Sequence, residues 1–374
     1  MSPLVPPPPA AVPTDPQPPA RPQLKPALRR LWRDASTLQL GLDPASAVVI
    51  GGLDPHVARL VESLDGTRDR PGVLTAARQL GVEQWRAGEI LELLARAGVL
   101  DDAAADRKPL RALEQRERDR LAPDLAAVSV GSDRTDGGVG TLARRRDSVV
   151  SVHGAGRVGA SVATLLASAG VGGLAVEDTA TARLADTAPA GLAIDDEGAR
   201  RQDAALRAAR RVAPSVRTRP RVPDRPDIAV LAVVGAVDPR LADRLVRRGV
   251  PHLFAAVREG TGVVGPLVVP GQSSCQRCHD LHRTDRDPAW PSIAAQLSGT
   301  ASHTTAPCDV VLATTVAAHA ALQVLAFLDG DRDSASHELL PTVDGTLEIA
   351  RTDGRVRRRS WSRHPLCGCS WPGE

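Results

Sequence analysis

The sequence predicts an α/β protein: a mostly parallel sheet covered by helices on both faces, preceded by a small α+β module and a proline-rich tail. Three observations carry this. An apolar strand at Val149–His153 runs straight into a glycine turn and a helix. Short β-branched runs then alternate with helical stretches, the pattern of a parallel sheet with crossover helices. Hairpin and helix signals are packed into residues 27–102, and 374 residues leave room for two domains.

Taken in chain order, residues 1–26 hold Pro6, Pro7, Pro8 and Pro9 in a row, with further prolines to Pro26. Such a segment cannot bury enough apolar surface to order itself, so a disordered tail is expected. No charged start followed by an apolar run marks a secretory signal. Elsewhere, 47 basic and 44 acidic side chains nearly cancel, and aromatics are only 2%. That leaves neither a broad electrostatic footprint nor a stacking platform for nucleic acid. Five cysteines are too few and too odd for a disulfide scaffold. The expectation is a soluble cytoplasmic protein.

In residues 27–102, Thr37–Asp43 alternates apolar and polar positions and Ser46–Ile50 is a short β-branched run, so Pro44-Ala45 between them makes a hairpin. Asp54 before Pro55 is an N-cap and first-turn pair opening a helix to about Gly66. Helices over Pro71–Leu80 and Glu83–Val99 follow, the latter with Ile90, Leu91, Leu94 and Val99 on one side. A hairpin and three short helices form a winged-helix-like module. None of these helices is strongly basic, which argues against DNA reading. Residues 103–145 read as a charged connecting helix (103–122) and a glycine-rich loop (129–140).

The second domain, residues 146–374, opens with the strand Val149–His153 and the turn Gly154-Ala155-Gly156-Arg157-Val158-Gly159. A helix over Ala160–Ala169 and a strand over Leu174–Val176 lead to Glu177-Asp178. Ile228–Val234 and His252–Val257 are further buried strands. Val310–Leu328 is 19 residues without formal charge, close to membrane-spanning length. Thr315, His319 and Gln323 give it a polar stripe and no aromatic belt flanks it, so a buried core helix is expected.

The glycine spacing has a mechanical reason. Gly154 permits the tight turn, Gly156 lets backbone N–H groups approach a phosphate, and Gly159 lets the helix pack closely on the strand. Asp178 stands where a carboxylate accepts hydrogen bonds from ribose hydroxyls. The same turn suits a nicotinamide cofactor, so an oxidoreductase is one reading. Cys275 and Cys278 form a CxxC pair, and Cys367 and Cys369 a CxC pair near the C-terminus. Four thiolates in two close pairs match a structural tetrahedral zinc site. Separate free thiols, or His279, His282 or His364 as ligands, are the alternatives. Cys308 is left over and reads as an inert thiol rather than a nucleophile.

Residues 146–374 resemble the ThiF/MoeB superfamily, the fold of the ubiquitin-activating adenylyltransferases. The resemblance rests on GAGRVG (154–159), ASAGVGGLAVED (167–178), the two cysteine pairs and APCDVVLATTVAAHAALQVLAFLDG (306–330). GVVGPLVVPGQSSCQRCHDLHRTDRDPAWP (262–291) and HPLCGC (364–369) are similar to the ocin-ThiF-like proteins that accompany YcaO-type cyclodehydratases in peptide modification. The resemblance implies a Rossmann-like ThiF-type domain, usually homodimeric. It also implies that 27–102 is a recognition element for the leader of a precursor peptide.

The departures bear on activity. Arg157 stands where active members carry a second glycine inside the turn. Asp186, Pro189 and Ala190 stand near the family's phosphate-holding Asn and Arg-Gln pair, and Arg201 replaces its phosphate-binding Lys. Val233-Val234-Gly235 occupies the place expected for a magnesium-binding Asp. Phosphoryl and adenylyl chemistry needs a metal-held carboxylate and cationic clamps. The favoured expectation is therefore a leader-peptide-binding scaffold and cyclodehydratase partner. ATP stays a candidate ligand of Gly154, Gly156, Gly159, Asp178 and Arg201. An active adenylyltransferase is the alternative.

Overall fold

A computed structural model describes residues 18–44, 46–219, 221–232, 238–298, 307–330, 337 and 340–369. The proline run, Ala45 of the expected turn and Val233-Val234-Gly235 lie outside the described residues. The chain divides into two compact units, Met1–Gly140 and Thr141–Glu374.

In the first unit, β1 (Pro22–Leu24), β2 (Arg30–Asp34), β3 (Thr37–Leu40) and β4 (Val48–Ile50) precede α1 (Pro55–Glu62), α2 (Arg70–Gln79) and α3 (Gln84–Arg96). After them come β5 (Leu100–Asp102), α4 (Lys108–Arg111) and α5 (Gln115–Val130). The expected hairpin is β3–β4, with Leu38 opposite Ile50 and Leu40 opposite Val48. Leu38 and Leu40 alternate inward and are fully buried. The sheet is wider than the sequence shows, because β2 pairs on the outer side of β3. Four of the five residues of β2 are exposed, so no apolar alternation betrays it. Among the described residues the outer strands of this sheet are β2 and β4, so the hairpin's own unpaired edge is β4. Asp54 caps α1 as expected, accepting from the His56 and Val57 N–H groups, and Asp69 caps α2 through Gly72. Leu60, Val61, Leu91 and Leu94 close the core beneath the sheet.

Two expectations fail here. The tail does not run to residue 26, since β1 pairs antiparallel with β5 (Gln23 opposite Asp101) and Lys25 is buried. Lys25 Nζ donates to the Ser129 and Ser132 carbonyls at 2.6 and 2.5 Å, covering groups that the end of α5 leaves open. The charged helix also does not stop at 122. It passes through Pro123 to Val130, held by the buried Leu121.

In the second unit, α6 (Val139–Asp147) leads to β6 (Val149–His153), α7 (Arg157–Ser168), β7 (Gly173–Glu177), α8 (Arg201–Val212) and β8 (Arg217–Arg219). Then come β9 (Ile228–Leu231), α9 (Pro239–Arg247), β10 (His252–Arg258) and β11 (Thr261–Val268). α10 (Gln276–Arg286), α11 (Trp290–Ser298), α12 (Val310–Asp329), β12 (Gly345–Ala350) and β13 (Val356–Ser360) complete it. α6 begins inside the stretch expected to be a loop. One eight-stranded sheet runs β13-β12-β11-β10-β9-β6-β7-β8. The segment from β10 to β8 is parallel, and β11, β12 and β13 extend it antiparallel.

α12 packs against α7, β10 and β11 and buries Leu312, Val316, Ala320, Val324 and Leu328, as the core-helix reading expects. Its approach to the sheet is close: a Cβ on Gly262 would meet Val316 Cγ2 at 2.4 Å. Arg145 ties the start of the unit to the end of α12, its Nε and Nη2 donating to Asp329 at 2.8 and 2.6 Å.

Candidate functional site

The glycine turn joins β6 to α7. Gly154 has φ +89, a left-handed conformation that only glycine adopts cheaply. Gly159 is required by space, because a Cβ there would lie 1.8 Å from the Gly154 carbonyl oxygen. Gly156 is the N-cap of α7, and a Cβ on it would meet nothing within 4 Å. The space beside it is thus open, at the end of a helix whose N–H groups favour an anion.

Asp178 follows β7 and faces this turn. Its Oδ2 accepts the Ala155 N–H at 2.7 Å and its Oδ1 accepts the Ala180 N–H at 2.9 Å. The acid is therefore held by the turn's own backbone, with lone pairs to spare for a hydroxyl. Arg201, at the start of α8, donates Nε and Nη2 to the two oxygens of Asp186 at 2.8 and 2.7 Å, while its Nη1 lies 3.8 Å from Asp178. Its charge is shared between two carboxylates, and its fork is filled. A bidentate pair of this kind is the strong form of a guanidinium–carboxylate contact.

Arg157 points across to the segment before α12, where its Nη1 donates to the Cys308 carbonyl at 2.6 Å. Its Nε is buried without a partner. With Thr187, Ala188, Pro189, Leu192 and Val310 it lines a cavity of about 360 Å³, near the lower limit for small-molecule sites. Burial pushes the Cys308 thiol up, which keeps it protonated.

Three features were missed in the sequence. Asp186 fills Arg201 from 15 positions away in the chain, with no periodic signal to link them. His153, the last residue of β6, is buried and has Nδ1 2.9 Å from Glu177 Oε2. Burial holds its imidazolium down, partly offset by Glu177. Asp238 is the third: it caps α9 by accepting the Arg240 N–H, and it is the first carboxylate after β9 among the described residues.

The four paired cysteines converge. Cys275 caps α10 and Cys278 lies in its first turn, while the Cys367–Cys369 segment returns to them. The Sγ separations are 3.4 Å for Cys275–Cys367, 3.4 Å for Cys278–Cys369 and 3.9 Å for Cys275–Cys278. These are too long for disulfides, and they bracket the roughly 3.8 Å edge of a tetrahedron with metal–sulfur bonds of about 2.3 Å. Cys278 is pushed down to about 4, first because Cys275 donates to it and also through the His364 N–H and Cys369. Cys275 is correspondingly pushed up by donating to Cys278, and burial pushes Cys369 up to about 12. A thiolate already shared among its neighbours is what a cation needs. The cluster can hold a metal ion.

The histidines weighed as alternative ligands stand apart. His279 stacks on Trp361 with ring centroids 4.5 Å apart and pairs with Ser274 at 3.3 Å. His282 and His364 gather instead with Asp285.

Comparison with solved structures gives the same architecture over nearly the whole chain. The crystal structure of E. coli MccB with ATP has a TM-score of 0.67 at 14% identity, covering 93% of this chain and 99% of that one. E. coli MccB with MccA-N7isoASN gives 0.66 at 15% identity, covering 93% and 99%. PaaA gives 0.65 at 17% identity, covering 90% and 99%. At these identities the likeness shows the fold. No curated protein matches. The ThiF family model matches residues 134–369, more than half of the chain and all four paired cysteines. This chain belongs to the ThiF family.

Proposed function

We propose that the protein captures the leader segment of a precursor peptide and holds it for a modifying enzyme, a YcaO-type cyclodehydratase in the cytoplasm. On this reading the second unit is a dimeric scaffold of adenylyltransferase fold, stapled by a structural zinc ion on Cys275, Cys278, Cys367 and Cys369. The observation that carries it is the first unit's small sheet, whose β4 edge is free to accept an extended peptide as an added strand. Exposed Trp85 and Leu93 on α3 offer apolar anchors in the same module. Solved structures of the similar MccB contain MccA, which makes a peptide a natural ligand class for this architecture.

The nucleotide side supports a scaffold. Arg201 is engaged by Asp186, and Arg157, which lines the cavity beside the turn, is tied to the Cys308 carbonyl. A cation already paired contributes less to charge developing on a phosphate. A second reading, adenylation of a peptide carboxylate, is kept open by Asp238, the first carboxylate after β9 among the described residues.

One pair of assays on the full chain separates the two. Fluorescence anisotropy with labelled leader peptides from precursor genes should show saturable binding, and ATP–pyrophosphate exchange should stay at background. Robust magnesium-dependent exchange, lost in Asp178→Ala and Asp238→Ala, would establish adenylation in place of the scaffold. Absence of binding by every leader would remove the delivery role.

A further inference from the structure

Beside the four cysteines lies a second group of metal-ligating side chains. Turns of α10 place His282 and Asp285 three residues apart on one side, and His364 comes to them from the C-terminal segment. One ligand atom of each lies within 4.8 Å of the others. His364 is buried, His282 is half-buried, and the Asp285 side chain is 61% exposed, so the group opens to solvent on its carboxylate side.

The hydrogen bonds prepare two of the three donors. His282 Nε2 lies 3.0 Å from the Ser362 carbonyl, which can only accept. With the Ser362 hydroxyl also 3.2 Å from Nε2, a proton on Nε2 serves both oxygens and leaves Nδ1 with its lone pair. A ring held by a backbone carbonyl through its other nitrogen is the usual support of a metal-bound histidine. His364 Nε2 lies 2.9 Å from Asp285 Oδ2, so an imidazole and a carboxylate already share one proton between their donor atoms. The His364 and His282 rings meet edge to face, 4.7 Å between centroids.

We propose that His282, Asp285 and His364 form a second divalent-metal site, separate from the four-cysteine cluster and open to solvent. Two imidazoles and one carboxylate are donors of intermediate softness that suit zinc and its first-row neighbours. Three protein ligands leave a coordination position for water or for a carboxylate from a bound molecule. On binding, the metal replaces the shared proton between His364 and Asp285, and that proton moves to His364 Nδ1. The Leu366 N–H, which donates to Nδ1 at 3.1 Å, must then turn to water. The bond given up is a half-buried one.

Cobalt titration of the metal-free full chain tests this, because the two sites differ in colour. The cysteine site gives intense sulfur-to-cobalt charge transfer, while a nitrogen–oxygen site gives only weak visible bands. A second cobalt ion per chain is expected, carrying weak bands alone. His282→Ala and Asp285→Asn should each abolish that second ion and leave the charge-transfer band at full strength. Cys367→Ser with Cys369→Ser should remove the charge-transfer band, and because it also frees the segment that carries His364, the two single variants decide the assignment of the weak bands. Saturation of the wild type at one sulfur-bound ion would overturn the proposal, as would a second ion retained in both single variants.

Discussion

Arg201 grips Asp186 with two parallel hydrogen bonds of 2.8 and 2.7 Å at the mouth of the glycine turn. The cation at the start of α8 that faces Asp178 is thereby committed to an internal carboxylate. Asp186→Ala should release it. ATP affinity, measured by calorimetry, should rise about tenfold over the wild type, on the order of 1.4 kcal/mol. An unchanged or weaker affinity would show that the pair does not restrain nucleotide binding.

Zinc should accompany the purified protein on the four cysteines. Cys367→Ser with Cys369→Ser should remove the sulfur-bound ion and lower the unfolding temperature, because the C-terminal segment then loses its tie to α10. Metal analysis beside a thermal scan checks both. Zinc content unaffected by the double substitution would show that the ion sits elsewhere.

Two glycines of the turn should separate packing from ligand access. Gly159→Ala drives a methyl into the Gly154 carbonyl and should cost about 3 kcal/mol or more in denaturant unfolding. Gly156→Ala enters open space at φ −74 and ψ −160, and should change stability by less than about 0.5 kcal/mol. Equal losses in the two variants would contradict the geometry.

Stability should fall in mild acid through His252. This residue of β10 is fully buried, with Nδ1 2.9 Å from the Val250 carbonyl and Nε2 unpartnered. Burial pushes it down from 6.5 to about 4, with His153 adding repulsion. The unfolded chain then binds the extra proton, so the contribution is complete above about pH 6.5 and is lost as pH falls towards 4. Its full size is about 3 kcal/mol. His252→Asn keeps a donor for Val250 and should flatten that part of the pH–stability curve. An unchanged slope would reject the assignment.

What could be read in the sequence was local or forced by chemistry. The β6–α7 turn and Asp178 are legible because backbone geometry dictates each glycine within a few residues, and the cysteine pairs because four thiolates have few other uses. Asp54 announces α1 by the same local logic. Hidden features depend on the fold. β2 and β13 are exposed strands without apolar alternation, and every residue of β13 is exposed. Lys25 looks like the end of a tail until β1 pairs with β5. Asp186 meets Arg201 only after the loop following β7 has folded back.

If the β4 edge of the small sheet receives a peptide, hydrogen–deuterium exchange on the full chain reads that edge directly. With a saturating leader peptide, amides of Val48–Ile50 and of α3 should gain protection while β6 and α7 stay unchanged. Trp85→Ala with Leu93→Ala should weaken the peptide at least about tenfold, on the order of 1.4 kcal/mol. Protection confined to the glycine turn and α8, with none at β4 or α3, would rule out peptide capture at β4 and move the peptide to the second unit.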